Sequence, residues 1–135
     1  MSEIITVVRA MGKTVSGQVV VFREGFSPRY DLDRTSGVIS RRGHSAEGQS
    51  IKDKILVIPT AKGGVAGGWA VRDLVCKGFA PRAFVFGKLN PVMVQGAVFA
   101  GIPITEGWRP DALDLLRTGD IVRVDPARLR IEKLS

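Results

Sequence analysis

Ile55-Leu-Val-Ile-Pro-Thr-Ala-Lys-Gly-Gly-Val-Ala-Gly-Gly-Trp69 is the stretch on which the reading of this chain turns. It opens on Lys54 to Pro59, a short uninterrupted apolar run, which is the pattern of a strand buried on both faces and placed centrally in a sheet. The run passes through a Lys-Gly-Gly loop into Val65 to Lys77, where Trp69, Ala70, Leu74 and Cys76 recur at near-helical spacing, Lys77 lies in the last turn and Gly78 stops the helix. Pro81 restarts the chain and Ala83 to Phe86 predicts a second buried strand, so that strand, helix and strand form a right-handed βαβ unit. The loop between the first strand and the helix suits an anion. Backbone N-H groups freed at a helix start point outward, glycines admit a ligand close to the backbone, and Lys62 adds a full charge. Lys62, Gly63, Gly64 and Val65 are therefore the candidate binding residues for a phosphate or carboxylate, whereas Gly67 and Gly68 are as well explained by close packing of the helix on the sheet. The order of residues differs from a Walker loop, in which glycine precedes lysine and Ser or Thr follows, and there is no G-x-G-x-x-G. A nucleotide site is disfavoured.

Outward from this unit, Ile4 to Ala10 and Val15 to Phe22 are rich in Val and Ile and predict strands joined by a turn over Gly12 to Ser16. Gly25 to Gln49 carries Pro28, several Asp and Ser, and Gly37, Gly43 and Gly48, which predicts turns around one short strand at Val38 to Ser40. A loop this long is functional or covers something. Beyond the unit come a helical pattern over Val92 to Ala100, a strand at Ile102 to Thr105, and a short helix at Asp111 to Arg117 opened by Pro110 and closed near Gly119. A terminal pair of strands, Asp120 to Val124 and Leu129 to Leu134, completes an α/β architecture with a central βαβ unit and additional β-strands at both ends.

The length of 135 residues predicts a single domain over 1–135, and 44% hydrophobic with 24% charged residues predicts a packed core. Apolar runs such as Val92 to Gly101, interrupted by Gln95, fall short of the roughly 20 residues of a membrane helix, and the N-terminus lacks a basic leader, so a cytoplasmic protein is expected. Twenty Lys and Arg against thirteen Asp and Glu leave +7, which favours an anionic ligand. The basic residues are scattered singly or in pairs, so a solvated basic surface explains them better than nucleic acid does. Cys76 is the only cysteine, which excludes an internal disulfide and cannot by itself hold an iron-sulfur cluster or a structural zinc.

The strand, KGG loop and helix, followed by Gly78-Phe-Ala-Pro-Arg-Ala-Phe-Val-Phe-Gly-Lys-Leu-Asn-Pro-Val-Met-Val-Gln-Gly-Ala-Val-Phe-Ala-Gly-Ile-Pro-Ile104, resemble the small subunit or swivel domain of the aconitase X family. Gly25-Phe26, His44 through Gly48-Gln-Ser-Ile-Lys-Asp-Lys-Ile-Leu-Val57, and Thr118-Gly-Asp-Ile-Val-Arg-Val-Asp125 extend the likeness from about Gly17 to Val124. The resemblance implies a swivelling β/β/α domain that closes over a large subunit carrying an iron-sulfur cluster on its own cysteines. It implies half of a hydro-lyase, active only as a heterodimer, that dehydrates a small hydroxy acid such as mevalonate 5-phosphate or cis-3-hydroxy-L-proline. Family members with demonstrated activity resemble K-G-S in the loop, the serine taking the proton, whereas this chain has Lys62-Gly63-Gly64. Glycine has no side chain to act as a base, so Thr60 and Lys62 are the nearest substitutes. The competing reading is a non-catalytic module on the same fold that binds a small anion or nucleic acid.

The remaining candidates have bland explanations beside functional ones. His44, the only histidine, lies in a Gly/Ser loop and reads as a turn or hydrogen-bonding residue rather than a phosphohistidine carrier. Cys76 reads as a small buried hydrophobe and Trp69 as core, while Trp108 suits either core or a partner contact. Asn90 either caps the helix that follows Pro91 or stands at the C-terminal edge of the parallel strands, where α/β sheets bind ligands.

Overall fold

The structure, a computed structural model, describes residues 3–27, 31–33, 35–61, 66–89, 91–109 and 111–135, with the backbone alone at 66–70 and 92. Strand β1 (Glu3–Met11) and β2 (Val15–Val21) are followed by a small hairpin of β3 (Leu32–Asp33) and β4 (Val38–Ile39). Then come β5 (Ile55–Thr60), α1 (Ala66–Lys77), β6 (Ala83–Lys88), α2 (Pro91–Ala100), β7 (Ile104–Arg109), α3 (Ala112–Leu115), β8 (Ile121–Asp125) and β9 (Arg130–Lys133). The larger sheet closes on itself in the order β1-β7-β6-β5-β2-β8-β9, with β9 returning to β1. Its β2, β5, β6 and β7 run parallel, and β1, β8 and β9 complete the ring through antiparallel pairs. Of the three crossovers that these parallel pairs demand, β5 to β6 runs through α1, β6 to β7 through α2, and β2 to β5 through the segment that carries β3 and β4.

The apolar run at Ile55–Thr60 is continuous because each face of β5 meets a different core. Ile55 and Val57 point into the barrel with Val19, Val21, Ala83 and Val85, while Leu56 and Ile58 point outward against the helices with Phe84, Phe86 and Leu74. All four β5 side chains are fully buried. Both long helices end alike: Gly78 and Gly101 take φ of 80° and 72°, and the amides of Phe79 and Ile102 reach back to the carbonyls of Leu74 and Ala97 at 2.9 Å. That is the left-handed stop glycine supplies most readily. The described residues between β2 and β5 cover the outer core, to which Phe22, Phe26, Leu32, Ile39, Ala46 and Ile51 contribute. Asp31, fully buried, pins this cover by accepting from the Ser27 amide and the Arg41 guanidinium, each at 2.9 Å.

Four expectations need correction. Cys76 is exposed rather than buried, because α1 turns Val71 and Leu74 to the core and leaves Val75 and Cys76 outside. The short helix spans Ala112–Leu115, not Asp111 to Arg117: the Asp111 carboxylate accepts from the Leu113 amide as its N-cap, and Leu116 is already extended. The strand expected at Ile102 to Thr105 begins at Ile104 and continues to Arg109, because β1 pairs along its whole length. The hairpin partner Leu32–Asp33 was not legible in the loop. Pro110 and the side chain of Trp69 lie outside the described residues.

Candidate functional site

Parallel β5, β6 and β7 send their C-terminal ends to one edge, from which the chain leaves for α1 and α2. Thr60 and Lys88 are direct partners across the β5/β6 ladder at this edge, and both are exposed. By strand alternation they share the face of Leu56 and Ile58 and of Phe84 and Phe86, the face the helices cover. The edge extends on one side through Phe26, whose amide donates to the Thr60 carbonyl at 3.1 Å and which bridges Ala61. Ala61 in turn donates to the Lys88 carbonyl at 3.1 Å. Neither α1 nor α2 has an acidic residue in its first turn.

Gly87 and Trp108 give the edge its shape. A Cβ at Gly87 would stand 2.7 Å from the Pro59 carbonyl oxygen and 2.9 Å from the Trp108 indole, so glycine lets the strand and the ring close together here. Trp108 is half-buried and packs against the barrel core, which settles it as structural on its inner side. Glu106 accepts from the Leu89 amide at 2.9 Å and pairs with Arg9 at 3.3 Å, tying the chain just before α2 to β1. Lys88 and Glu106 were missed in the sequence reading. A polar residue ending an apolar strand is the only local signal for Lys88, and none marks Glu106.

Of the residues singled out from sequence, Thr60 stands at the edge, its hydroxyl donating only to the Ala61 carbonyl at 3.4 Å; among the described residues no carboxylate or imidazole bonds it. Lys62, Gly63, Gly64, Val65 and Asn90 lie outside the described residues. In the chain they fall between Ala61 and α1 and between Leu89 and α2. His44 lies elsewhere, in the cover, with its side chain wholly buried. Its Nδ1 accepts from the Ala46 amide at 3.0 Å and lies 3.3 Å from a Glu24 carboxylate oxygen, and its ring meets Phe22 edge to face. It is a hydrogen-bonding residue of a turn, as the loop composition predicts. For Glu24, burial pushes the carboxyl up, but bonds from the Ser45 hydroxyl and amide, with His44 alongside, outweigh it and hold the group below its ordinary value. Ser45 and Glu24 thereby latch the end of β2 to the cover.

The donor set does not suit an iron-sulfur cluster. The lone Cys76 is on the outer surface of α1, His44 is enclosed on Phe22, and no group of three His, Cys, Asp or Glu among the described residues is placed to hold a metal. No described helix is long and apolar enough to cross a membrane. Apolar side chains do reach the surface, chiefly Phe99 and Val98 on α2, and Val8 and Met11 on β1 beside a groove of about 460 Å³ that Val94, Leu89, Ile104 and Leu129 also line.

The family profile of the aconitase X swivel domain matches residues 4–133. Among known proteins, the phosphomevalonate dehydratase small subunit of Pyrococcus abyssi is 32% identical over 125 residues, covering 92% of this chain and 94% of the relative. That of Methanosarcina acetivorans is 29% identical over 133 residues, covering 95% and 92%. The crystal structure of Thermococcus kodakaraensis aconitase X in its holo form superposes with a TM-score of 0.91 at 30% identity, over 98% of this chain and 99% of that one. Residue pattern, barrel and likeness agree: the chain belongs to the aconitase X swivel domain family, with the sheet-rich α/β fold of that domain.

Proposed function

We propose that this chain is the small, swivel subunit of a hydro-lyase that dehydrates a small phosphorylated hydroxy acid, together with a large subunit carrying the iron-sulfur cluster. The observation that carries the reading is the likeness, over nearly the whole of both chains, to phosphomevalonate dehydratase small subunits. Relatives described as small subunits imply a larger partner, and the exposed Phe99, Val98, Val8 and Met11 offer it apolar surface. Since the donor set of this chain does not suit a cluster, the cluster is assigned to the partner, and its chemistry when bound is that of a Lewis acid on the leaving hydroxyl.

What this chain contributes is the anion site. Lys62, Gly63, Gly64 and Val65, at the start of α1, bind a phosphate or carboxylate through freed N-H groups and the lysine charge, and Asn90 adds a polar group beside α2. The proton acceptor is unassigned, because Gly64 stands where the family serine is expected and Thr60 has no described base beside it. Gly64 also motivates the second reading, a subunit that binds its anion without turnover. Scattered charge disfavours the nucleic-acid version of that reading, and action in the cytoplasm remains part of the proposal.

Co-expression with a cysteine-bearing large subunit from the same genome tests the proposal. A stable complex containing iron that dehydrates mevalonate 5-phosphate is the expected result. Stoichiometric iron in the isolated chain, or no complex with any such subunit, overturns it. A complex that binds the acid without dehydrating it selects the second reading.

A further inference from the structure

We propose that His44 is a proton-operated switch in the cover: neutral, it holds the Ala46 amide; protonated, it donates to the Glu24 carboxylate, and the exchange is felt at the strand edge beside Thr60. The inference starts from an imidazole nitrogen with two neighbours that it cannot serve at once. The ring is wholly buried. Its Nδ1 accepts from the Ala46 amide at 3.0 Å and lies 3.3 Å from Glu24 Oε1. A nitrogen that accepts from an amide carries no proton, so the one proton of the neutral ring is on Nε2. Among the described residues Nε2 is buried without a hydrogen-bond partner, and a buried polar atom left so calls for a reason. A second proton, taken from solvent, can enter only at Nδ1. There it opposes the Ala46 N-H, donor against donor, and the acceptor within reach is Glu24. Amide and carboxylate are exclusive partners, and one proton decides between them.

The exchange acts on one turn. Glu24 accepts from the Ser45 hydroxyl and, at 3.2 Å, from the Ser45 amide, while the hydroxyl oxygen accepts from the Arg23 amide at 2.8 Å. Drawing Glu24 to His44 and releasing Ala46 therefore pulls on consecutive residues. Gly43 and Gly48 close the turn with φ of 80° and 84°, and a Cβ at either would meet nothing within 4 Å, so the segment between them has room to move. Other charged groups of the turn and of the chain after β2 have their own partners or face solvent. Arg41 is bound to Asp31 at 2.9 Å, Glu47 accepts from the Gly43 amide at 3.2 Å, the Arg23 guanidinium donates to the Leu113 carbonyl at 3.3 Å, and Arg42 is exposed. On the inner side the imidazole meets Phe22 edge to face at 5.0 Å, Phe22 meets Phe26 likewise at 5.1 Å, and the Phe26 amide donates to the Thr60 carbonyl at 3.1 Å. These packed rings connect the switch to the end of β5.

The test records backbone amide and imidazole nitrogen shifts of the isotope-labelled full chain from about pH 8 to about pH 5, the span in which an imidazole ordinarily titrates. An unprotonated Nδ1 at the upper end is expected, then an upfield step of the Ala46 amide proton as its bond is lost, with steps at Ser45, Phe26 and Ala61 sharing one midpoint. His44→Asn, whose side-chain oxygen accepts from the amide two residues on but takes up no proton, should abolish every step. Glu24→Gln, at a half-buried position, should move the midpoint to lower pH, because a neighbouring carboxylate favours the imidazolium. This second variant decides the matter if His44→Asn fails to fold. No step at Ala46, a step that persists in His44→Asn, a midpoint indifferent to Glu24→Gln, or a step that leaves Phe26 and Ala61 unmoved overturns the inference.

Discussion

Two strand glycines, Gly17 in β2 and Gly87 in β6, have ordinary backbone angles and differ only in what a methyl group would meet. At Gly87 the new Cβ would stand 2.7 Å from the Pro59 carbonyl oxygen and 2.9 Å from the Trp108 ring, against 3.4 Å for the start of ordinary contact. Relief requires β5 and β6 to separate by about 0.7 Å at the strand ends, since a carbonyl in a sheet ladder has no rotamer to change. At Gly17 the nearest atoms are side-chain carbons, Ile55 Cγ1 at 3.3 Å and Arg82 Cδ at 3.4 Å, within about 0.1 Å of ordinary contact. Gly87→Ala is therefore expected to cost about 1–3 kcal/mol as overpacking, whereas Gly17→Ala is expected to be neutral or to stabilise by up to about 1 kcal/mol through the unfolded state. Urea unfolding measures both: with a slope of about 1–3 kcal/mol per molar, Gly87→Ala should lower the midpoint by about 1 M. The Pro59 carbonyl is half of the argument and the indole the other half. Gly87→Ala combined with Trp108→Leu should accordingly recover only part of the loss. A Gly87→Ala protein within about 0.5 kcal/mol of wild type, or one no worse than Gly17→Ala, would refute the claim that close approach of strand and ring shapes the edge.

Further outcomes bear on the site and its cover. Lys62→Ala should weaken phosphate binding about tenfold, the consequence of losing one charge-assisted hydrogen bond of roughly 1.5 kcal/mol; calorimetry showing wild-type affinity would move the anion site elsewhere. Gly64→Ser, assayed with the large subunit, is expected to create or raise dehydratase activity if position 64 is where proton transfer is decided; an unchanged rate in an already active pair transfers that role to Thr60, Lys62 or the partner. The Glu24 carboxyl is held low in the folded state, so its stabilisation is complete above the ordinary carboxylate range and fades as pH falls through that range towards the depressed value. Ser45→Ala removes the hydroxyl bond that lowers it and keeps the amide bond, and the urea midpoint of that variant should fall less steeply with acid; an identical pH profile would show that the hydroxyl contributes nothing to the latch.

Local pattern determined more of this protein than its length suggests. A run of Ile, Leu and Val that is too continuous for a one-faced strand requires two cores, and β5 has them, the barrel interior on one side and the helix layer on the other. The stop glycine after Lys77 was readable because a left-handed residue at a helix end is a local steric matter. The glycine loop and the quoted motifs carried the family as well. Closure of the sheet was not readable, because it depends on β9 returning to pair with β1, and pairing between strands so distant leaves no periodic mark in either. Cys76 was misplaced for a related reason: near-helical spacing identifies an apolar stripe but not which of two adjacent stripes the sheet covers, and contact with β5 and β6 chose Val71 and Leu74. Lys88 belongs to the same class. In sequence it is a lysine after a strand, and only the parallel register sets it opposite Thr60, with Glu106 paired to Arg9 on the neighbouring strands. Charge at a site is a difference between neighbours, and neighbours from three strands are assigned by tertiary structure alone.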